Sequence, residues 1–474
     1  MRTLLFESFQ GSRWAYDIET GVVHPEIAES ILLPEDRSEM YFYGIRQVKL
    51  EDLFHPEEDL NAEKFVAEAF LTLSVTEDCS NRCSYCIFGG RYPDERLHSS
   101  RVLALSDAIK AVDEFCHDVG SAVRNFSFYG GEPMFASGFD VVRGVVAHIK
   151  DKCTEGVNRF TLTTNGNHFT PETVRFLIEN DFHVGVSLDG PRDIHDRNRR
   201  TLGGAPTFNR IMDGLSLIYR TNREYYRKNV RFICVLNPPL EYEKVSAFFS
   251  SNELVWGNDI MVSNVSLFGQ SYYTEEIIHA FSMQTINMVR TAAQKLYSSV
   301  RNGTVFAQAF ERGLFFKELM ILRSRFRRSP RFELDLLGRC LPGRFKRFLA
   351  TDGTYYTCEK MQGYYPIGSL TTGIDMNRVL RMVNEHESLI KIRCPRCPYA
   401  KICTLCYVAA CGDRRLFDSK RLDENCIERR SFSKLLLRLY ASLVEELGDD
   451  GFEELLRSGH GMHYGNTFVH NLHM

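Results

Sequence analysis

Three cysteines at CxxxCxxC spacing constrain this chain more than any other feature. Cys79, Cys83 and Cys86 come directly after the apolar run Phe70–Val75, so a strand is expected to deliver all three to one loop. Three thiolates on such a loop can ligate three irons of a [4Fe–4S] cluster and leave the fourth iron free to bind a substrate. The alternative is three unrelated core thiols, since free cysteine is commonly buried.

Composition indicates a globular protein with metal sites. The chain has 474 residues, of which 44% are hydrophobic and 25% charged, and this length predicts about two to four domains. The formal net charge of −3 gives no argument for a nucleic acid or membrane partner. Without a signal-peptide pattern or an apolar run of about 18 residues, we expect a cytoplasmic protein. In that compartment the 14 cysteines predict metal binding rather than disulfides.

Strand-like and helix-like patterns alternate from residue 70 to about residue 267. This alternation predicts an α/β fold with a parallel sheet and crossover helices, and such folds place their chemistry at the carboxyl ends of the strands. The strand-like runs are Phe70–Val75, Asn125–Tyr129, Phe160–Thr164, His183–Leu188, Val230–Leu236 and Ile260–Val265. The helical patterns include Ser106–Cys116, Phe139–Lys150, Pro171–Glu179, Phe208–Tyr219 and Tyr242–Ser250.

Three further motifs end successive strands in a fixed order. They are Tyr129-Gly130-Gly131-Glu132-Pro133, Thr163-Thr164-Asn165-Gly166 and Ser187-Leu188-Asp189-Gly190-Pro191, the last followed by Arg199. Together with the cysteine loop they resemble the radical S-adenosylmethionine (SAM) superfamily, in particular the branch that modifies peptides and proteins. The resemblance covers roughly residues 70 to 430 and implies a partial (β/α)6 barrel.

The resemblance implies that Cys79, Cys83, Cys86 and Glu132 form the catalytic centre. The cysteines would hold the cluster whose open iron binds the methionine part of SAM. Reductive cleavage of SAM then gives a 5′-deoxyadenosyl radical, which abstracts a hydrogen atom from an unactivated C–H bond. The chain is accordingly expected to be an oxidoreductase that uses SAM.

Several residues at the strand ends are predicted to contact SAM. Gly130 and Gly131 lack a Cβ and let the backbone approach a ligand closely. Glu132 can accept a hydrogen bond from the SAM ammonium, and the fork of Arg199 fits the methionine carboxylate. The complete predicted set is Tyr85, Gly130, Gly131, Glu132, Asn165, Ser187 and Arg199.

Some of these assignments have alternatives within the sequence. Arg197 and Arg200 flank Arg199 and offer the same guanidinium. Tyr85 is predicted to present its ring to the adenine, although ordinary loop packing is compatible with its position. The Asp189-Gly190 pair is compatible with a plain turn, and His195 is predicted to be structural rather than catalytic.

A second cysteine-rich region begins at Cys340. Phe348–Thr351 and Thr354–Tyr356, separated by Asp352-Gly353, predict a hairpin that sets Cys358 at the end of its second strand. Two CxxC pairs follow and could form a Cys₄ zinc site. The whole pattern instead resembles a SPASM domain, which holds auxiliary [4Fe–4S] clusters.

The SPASM resemblance implies two auxiliary clusters and hence three clusters in all. One ligand set would be Cys394, Cys397, Cys403 and Cys426, and the other Cys340, Cys358 and Cys406. Two residues separate Cys403 from Cys406, where three are usual, and Cys411 is an extra candidate. If Cys411 is not a ligand, one iron can bind a substrate cysteine. If it is, that cluster is closed and only transfers electrons.

The remaining segments complete a five-part division of the chain. Residues 1–68 contain a predicted hairpin at Arg13–His24 and form either a leader-peptide-binding module, as in related maturases, or a structural cap. Cys116, Cys153 and Cys234 are predicted to be core residues. The predicted divisions are 1–68, a radical SAM partial barrel at 69–270, a helical bridge at 271–335, a SPASM domain at 336–430 and a C-terminal helix and tail at 431–474.

The preferred function is a maturase that forms a cysteine thioether crosslink in a ribosomally made precursor peptide with a leader, of the ranthipeptide or sactipeptide kind. The alternatives are an anaerobic sulfatase-maturing enzyme that makes formylglycine and a maturase that makes carbon–carbon or ether crosslinks. A zinc-bound peptide-binding module is the non-enzymatic alternative. The resemblance also implies an external electron donor such as flavodoxin or ferredoxin. From the small net charge we expect no nucleic acid partner and no membrane partner.

Overall fold

The computed structural model describes most of the chain. The described residues are 3–18, 21–26, 44–45, 68–92, 95–120, 123–267, 270–326, 333–334, 342–343, 345–412 and 417–458. Cys340, residues 46–67 of the predicted N-terminal region and the predicted tail after residue 458 lie outside them. Among the described helices, none combines the length and apolar character needed to cross a membrane.

Strands and helices alternate through the centre of the chain, as the sequence predicts. The strands are β1 (Thr3–Glu7), β2 (Arg13–Asp17), β3 (Val23–Pro25), β4 (Gly44–Ile45), β5 (Glu68–Thr76), β6 (Val123–Gly130), β7 (Val157–Thr164), β8 (His183–Ser187), β9 (Val230–Leu236), β10 (Ile260–Asn264), β11 (Glu333–Leu334), β12 (Lys346–Leu349), β13 (Thr354–Tyr356), β14 (Gly368–Ser369) and β15 (Gly373–Ile374). The α-helices are α1 (Leu105–Val119), α2 (Ser137–Lys152), α3 (Pro171–Glu179), α4 (Arg192–Asn198), α5 (Phe208–Thr221), α6 (Arg223–Asn229), α7 (Tyr242–Ser251), α8 (Glu275–Arg301), α9 (Ala309–Phe326), α10 (Met376–Arg393) and α11 (Ser419–Ser458).

A ten-stranded sheet organises the molecule. Its strand order is β10-β9-β8-β7-β6-β5-β12-β13-β14-β15, and β5 to β10 are neighbouring parallel strands. The predicted α/β class with a large parallel sheet is therefore confirmed. Because parallel strands run in one direction, the carboxyl ends of β5 to β8 share one edge, and the predicted motifs follow these ends.

Helix α1 shows why the local pattern predicts these elements. Its buried residues are Ala108, Ala111, Val112, Phe115 and Val119, which fall on one face at helical spacing. Charged and polar side chains occupy the opposite face. The buried face packs on the sheet, so periodicity and tertiary packing agree in this helix.

The predicted hairpin before Cys358 is present and extends the central sheet. Strand β12 pairs in parallel with β5, with Lys346 opposite Phe70, and antiparallel with β13. Gly353 has a φ of 81°, which favours glycine, and the Asp352 carboxylate accepts a 3.0 Å hydrogen bond from the Thr354 amide. One sheet therefore crosses the predicted boundary between the barrel and the cysteine-rich region.

The N-terminal sheet packs on the C-terminal helix. The order β1-β2-β3 contains the predicted hairpin as β2 and β3, and β1 was not predicted. The Phe9 amide donates to Ser442 Oγ at 2.7 Å, and Arg438 Nε donates to the Glu7 carbonyl at 2.9 Å. Helix α11 continues to Ser458 with a break at Gly448, where φ is 69°.

Candidate active site

The three cysteines of the CxxxCxxC motif lie on one loop at the carboxyl end of β5. The Asp78 carboxylate accepts a 2.8 Å hydrogen bond from the Cys79 amide, and the Asn81 amide donates to Cys79 Sγ at 3.4 Å. The Cys86 amide donates to the Cys83 carbonyl at 3.1 Å, closing a turn. These local hydrogen bonds fix the backbone that carries the thiols.

The same loop is bound to the segment around Arg199. The Arg82 amide donates to the Arg200 carbonyl at 2.8 Å, and the Ser84 amide donates to the Asn198 carbonyl at 2.9 Å. Ser84 Oγ also donates to Asn198 Oδ1 at 2.8 Å. Three hydrogen bonds therefore join the cysteine loop to the segment after β8.

Burial controls the protonation of the three thiols. It raises the pKa of Cys79 to about 12, with Glu132 and the other two cysteines adding to the shift. Burial also raises the pKa of Cys83 to about 11, opposed by the Arg199 guanidinium, and raises the pKa of Cys86. Metal-free, these thiols are protonated at neutral pH, and a bound metal would displace the protons.

The donor set of the loop fits an iron–sulfur cluster. Three sulfur donors from one half-buried loop match the thiolate ligation of [4Fe–4S] clusters. Each thiolate of such a cluster binds a different iron, so the sulfurs are spaced further apart than the ligands of one ion. Within the described residues, no three His, Cys, Asp or Glu side chains have the geometry of a single-ion site.

The two glycines of the second motif bring it against the end of β5. The Gly131 amide donates to the Thr76 carbonyl at 2.7 Å, and the Glu132 amide donates to the Asp78 carbonyl at 2.8 Å. A Cβ on Gly130 would collide with the Thr76 carbonyl, and one on Gly131 with the Asp78 carbonyl. The close approach seen here is to the chain's own backbone, while an approach to SAM stays a prediction.

The Glu132 carboxylate links the second and third motifs. It is 1% exposed, and its Oε1 accepts from Thr164 Oγ1 at 2.7 Å and from the Met134 amide at 3.1 Å. Its Oε2 accepts from the Asn165 amide at 2.6 Å. Burial raises the pKa of Glu132 to about 7. Asn165 Nδ2 in turn lies 3.7 Å from Cys79 Sγ, so three predicted site residues meet in this corner.

Asp189 joins two further predicted site residues, and sequence reasoning missed this role. Its Oδ2 accepts from Arg199 Nε at 2.9 Å and from the Tyr85 hydroxyl, and its Oδ1 accepts from the Val235 amide at 3.1 Å. The Arg199 guanidinium lies 5.4 Å from the centre of the Tyr85 ring. Ser187, the remaining predicted contact, is buried at the carboxyl end of β8.

His195 is hydrogen-bonded to the backbone of Asp189, next to the contacts between Asp189, Arg199 and Tyr85, and its imidazole is neutral. The Asp189 amide donates to His195 Nδ1 at 3.3 Å, and His195 Nε2 lies 3.1 Å from Thr207 Oγ1. The Thr207 hydroxyl donates to the Arg199 carbonyl at 2.9 Å, so it accepts from Nε2–H. Burial lowers the pKa of His195 to about 4. The arrangement agrees with a structural role.

The structure brings together the four cysteines predicted for one auxiliary cluster. The Cys397 amide donates to the Cys394 carbonyl at 3.0 Å within one short turn. Burial raises the pKa of Cys426, and the neighbouring Cys403 and Cys397 sulfurs add to the shift. The loop cysteines therefore face the first turns of α11, which carries Cys426. Their assignment as ligands stays a prediction.

A second group contains Cys358, Cys406 and Cys411. Burial raises the pKa of Cys411, and Cys358 and Cys406 add to the shift, so the three sulfurs are neighbours. The Cys411 thiol donates to the Tyr407 carbonyl at 3.6 Å and lies 3.4 Å from Met361 Sδ. Cys411, the extra candidate in the sequence, is thus placed beside the two described members of the predicted set.

Of the cysteines predicted as core, Cys153 and Cys234 are buried. Cys116 is half-buried and lies beside Cys153, with the two sulfurs 2.7 Å apart. All three are absent from the groups described above. The loop and C-terminal cysteines are therefore the ones that the fold gathers into clusters of sulfur donors.

Tyr129 connects the two halves of the site. Burial raises its pKa, and the neighbouring acidic groups that add to the shift include Glu359, Cys86 and Cys358. The Thr351 hydroxyl, at the predicted hairpin, donates to the Glu77 carboxylate beyond the end of β5. The cysteine loop and the second cysteine group therefore flank one region next to the end of β6.

Comparison with known proteins identifies the central domain. A family model described as the Radical SAM superfamily matches residues 73–243. The chain carries a radical SAM domain. It is 27% identical over 186 residues to the cysteine-type anaerobic sulfatase-maturating enzyme of Clostridium novyi (strain NT), covering 39% of this chain and 48% of that protein. The serine-type anaerobic sulfatase-maturating enzyme of Bacteroides thetaiotaomicron is 27% identical over 152 residues, covering 31% and 35%.

The radical SAM domain and these relatives indicate an enzyme, although the chain spans about half or less of the length of the curated relatives it matches. Among solved structures, native anSMEcpe with bound AdoMet has a TM-score of 0.58 and 18% identity, covering 79% of this chain and 98% of that one. At that identity the likeness shows the fold. The radical SAM domain and the cysteine-rich C-terminal region are consistent with SAM and several [4Fe–4S] clusters as cofactors.

Proposed function

We propose that the chain is a radical SAM maturase that forms a cysteine thioether crosslink in a ribosomally made precursor peptide. The observation that carries the proposal is the junction of the two cysteine regions: β12 of the hairpin before Cys358 pairs with β5, and the Thr351 hydroxyl of that hairpin donates to the Glu77 carboxylate just before the cysteine loop. A peptide bound beside Tyr129 would lie between the SAM site and an auxiliary cluster. Holding both reacting atoms in one place is a large part of the catalytic benefit.

In this proposal Cys79, Cys83 and Cys86 hold the SAM-binding cluster. Bound clusters and SAM supply the hydrogen-abstracting radical and the one-electron acceptor that crosslinking requires. Glu132 accepts three hydrogen bonds within the protein, which leaves one of its roughly four acceptor positions for the SAM ammonium. Asp189 engages Nε of Arg199, and the terminal nitrogens of that fork are then directed at the methionine carboxylate.

The thioether step conserves atoms as follows. A C–H bond of one residue and the S–H bond of a cysteine break, and one C–S bond forms. The hydrogen atom leaves with the 5′-deoxyadenosyl group, the thiol proton leaves to solvent, and the remaining electron goes to an acceptor. Cys358 and Cys406, with Cys340, are the proposed ligands of the cluster at which the substrate sulfur binds.

A peptide substrate is supported by the fold that the chain shares with native anSMEcpe with bound AdoMet and Kp18Cys peptide, at a TM-score of 0.58 and 19% identity. The leader is proposed to add a strand to β1, an edge of the N-terminal sheet on which Leu5 is 43% exposed. The packing of this sheet on α11 supports the structural-cap alternative as well. A flavodoxin or ferredoxin is the proposed electron donor.

A second candidate function is anaerobic sulfatase maturation, because both relatives described above carry that activity in their names. It differs from the first in the fate of the substrate sulfur. Thioether formation removes two hydrogens and retains the sulfur. Formylglycine formation replaces the cysteine thiol by an aldehyde oxygen. The product mass therefore separates the two functions.

The test uses the anaerobically reconstituted enzyme with SAM, a reductant and two peptides. One is the short Cys-rich peptide encoded beside the gene, and the other is a Cys-containing sulfatase peptide. We expect 5′-deoxyadenosine, and a product of the Cys-rich peptide that has lost two hydrogens. Combined Cys79→Ala, Cys83→Ala and Cys86→Ala substitution should remove about a third of the iron and all 5′-deoxyadenosine. Cys116→Ala is the matched control. Retained SAM cleavage in the triple variant would refute the proposal.

A further inference from the structure

The side chain of Arg96 is half-buried beside the cysteine loop, with most of its hydrogen-bonding capacity unused. Nε and Nη2 are buried without a hydrogen-bond partner, and Nη1 reaches only the Leu97 carbonyl at 3.4 Å. The guanidinium carbon lies 3.6 Å from the centre of the Phe88 ring, which holds the side chain in place. Buried donors of a charged group that lack an acceptor cost free energy, so an acceptor is expected to bind there.

Four acidic or titratable groups surround the guanidinium. They are Glu77, Cys86, Tyr129 and Glu95, and burial lowers the pKa of Arg96 although each of these groups acts to raise it. The Glu77 carboxylate is engaged by Ser99 Oγ at 2.6 Å and by the Thr351 hydroxyl. None of the four supplies a hydrogen-bond acceptor to Nε or Nη2.

The unused donors fit a carboxylate. Nε and Nη2 point in parallel from one side of the planar guanidinium and match the two oxygens of a carboxylate in a bidentate pair. Two carboxylates are available in the proposed reaction, one on the methionine part of SAM and one on the peptide. Both would present the same group to Arg96. The position of Arg96 relative to the two cysteine groups is therefore the basis for assigning one of them.

Arg96 and two of the predicted SAM contacts neighbour opposite ends of the cysteine loop, while Arg199, the predicted partner of the SAM carboxylate, neighbours Cys86 as well. Glu132 and Asn165 are neighbours of Cys79. Arg96 instead neighbours Cys86 and Tyr129. Tyr129 is the residue that also neighbours Cys358, so Arg96 faces the region between the two cysteine groups.

We propose that Arg96 determines substrate specificity by binding a carboxylate of the peptide, on an Asp or Glu side chain or at the C-terminus. The inference rests on the proposed function and adds the chemical class of residue that the maturase selects. An acidic residue anchored at Arg96 would lie next to Tyr129 and fix the register of the peptide between the SAM site and the second cysteine group. Sequence reasoning missed Arg96 because charged loop residues are usually solvated.

The test measures binding of two capped synthetic peptides, Ac-Gly-Cys-Gly-Asp-Gly-NH₂ and its Asn counterpart, to the reconstituted holoenzyme with SAM. We expect the wild-type protein to bind the Asp peptide about tenfold or more tightly, the scale of a charge-assisted hydrogen bond. Arg96→Gln should abolish the preference, and Arg96→Lys should keep part of it. The exposed Arg101→Gln is the matched control and should retain the full preference. Iron content and thermal melting establish that each variant is folded.

Two results would overturn the inference. One is equal affinity of the wild-type protein for the two peptides, or a preference that survives in Arg96→Gln. The other is a loss of SAM affinity in Arg96→Gln with an unchanged peptide preference, which would assign the carboxylate to SAM. The inference and the proposed function fail separately, since wild-type enzyme that cleaves SAM without preferring the Asp peptide refutes only the role of Arg96.

Discussion

The Asp189 carboxylate and the Arg199 guanidinium form a buried ion pair, with Oδ2 and Nε 2.9 Å apart. Asp189 follows β8 and Arg199 follows α4, so the pair closes the segment between them. The same oxygen accepts from the Tyr85 hydroxyl, which ties the cysteine loop to this segment. The orientation of Arg199 toward the cysteine loop therefore depends on a residue that the sequence alone presents as part of a turn.

Asp189→Asn should destabilise the protein and weaken SAM binding. Removing one partner of a buried ion pair leaves an uncompensated charge, which typically costs about 3–5 kcal/mol. Thermal melting and calorimetry with SAM measure the two effects. The exposed pair Lys244 and Asp193 provides the control, since Asp193→Asn should leave both quantities nearly unchanged. An Asp189→Asn protein with the stability of the wild type would contradict this account of the pair.

Glu132→Ala should weaken SAM binding by about 1.5–3 kcal/mol, the scale of a hydrogen bond to a charged group. It should also lower the melting temperature, because the Asn165 and Met134 amides lose their acceptor. Glu132→Gln keeps the shape of the side chain. Its NH₂ group would then face a hydrogen-bond donor and could not accept from it. Calorimetry on reconstituted enzyme measures the affinity, with the exposed Glu155→Gln as control. Wild-type SAM affinity in both Glu132 variants would refute the assignment.

Cys411→Ala and Cys406→Ala separate an open auxiliary cluster from a closed one. In the proposed scheme the substrate sulfur binds a vacant iron and Cys411 is not a ligand, so Cys411→Ala should keep full cluster iron and crosslinking. Cys406→Ala should lose that cluster and the product. Iron analysis and product mass spectrometry measure both outcomes. If Cys411→Ala loses cluster iron, Cys411 closes the cluster, and the substrate sulfur attacks the carbon radical without iron.

His195 should make the folding stability depend on pH. Burial lowers its pKa from 6.5 to about 4, so the folded protein favours neutral imidazole. The contribution of neutral His195 to the free energy of unfolding is therefore fully present above pH 6.5, and it is lost as the pH falls toward 4. On going from about pH 7.5 to about pH 4.5, the wild type should lose up to about 3 kcal/mol more than His195→Gln.

Thermal melting at both pH values provides the measurement for His195. Glutamine can still accept from the Asp189 amide and does not titrate, which isolates the effect of protonation. His117→Gln is the control, because that side chain is 91% exposed and should contribute little. Identical pH dependence of the wild type and His195→Gln would contradict the prediction.

The sequence predicts those parts of the molecule whose signal is local. Apolar runs and helical periodicity place β5 to β10 and the five longer helices between them, and a parallel sheet brings the strand ends to one edge. The two seven-residue helices, α4 and α6, were not predicted, because each is too short to show a helical period. The glycine turn at Gly353 likewise predicts its hairpin. The cysteine loop and Glu132 are identified because each has a short pattern directly after a strand.

The features that could not be predicted depend on contacts between residues that are far apart in the sequence. Asp189 accepts a hydrogen bond from Tyr85, which lies 104 residues earlier in the sequence. An aspartate in a predicted turn does not indicate such a partner. Arg96 stands in a polar loop segment of the kind that is usually solvated, and its half-buried position depends on packing against Phe88. The pairing of β12 with β5 joins Lys346 to Phe70, and nothing in either segment specifies the other.

That strand pair joins the barrel and the cysteine-rich region in one continuous sheet, so we expect the two to unfold together. A truncated chain that ends before β12 would leave β5 as an open edge, with unpaired N–H and C=O groups available to other chains. Such a fragment would aggregate rather than serve as a free-standing module. Chimeras that exchange the cysteine-rich region between maturases must therefore carry β12 together with the barrel it completes, and place the junction beyond it.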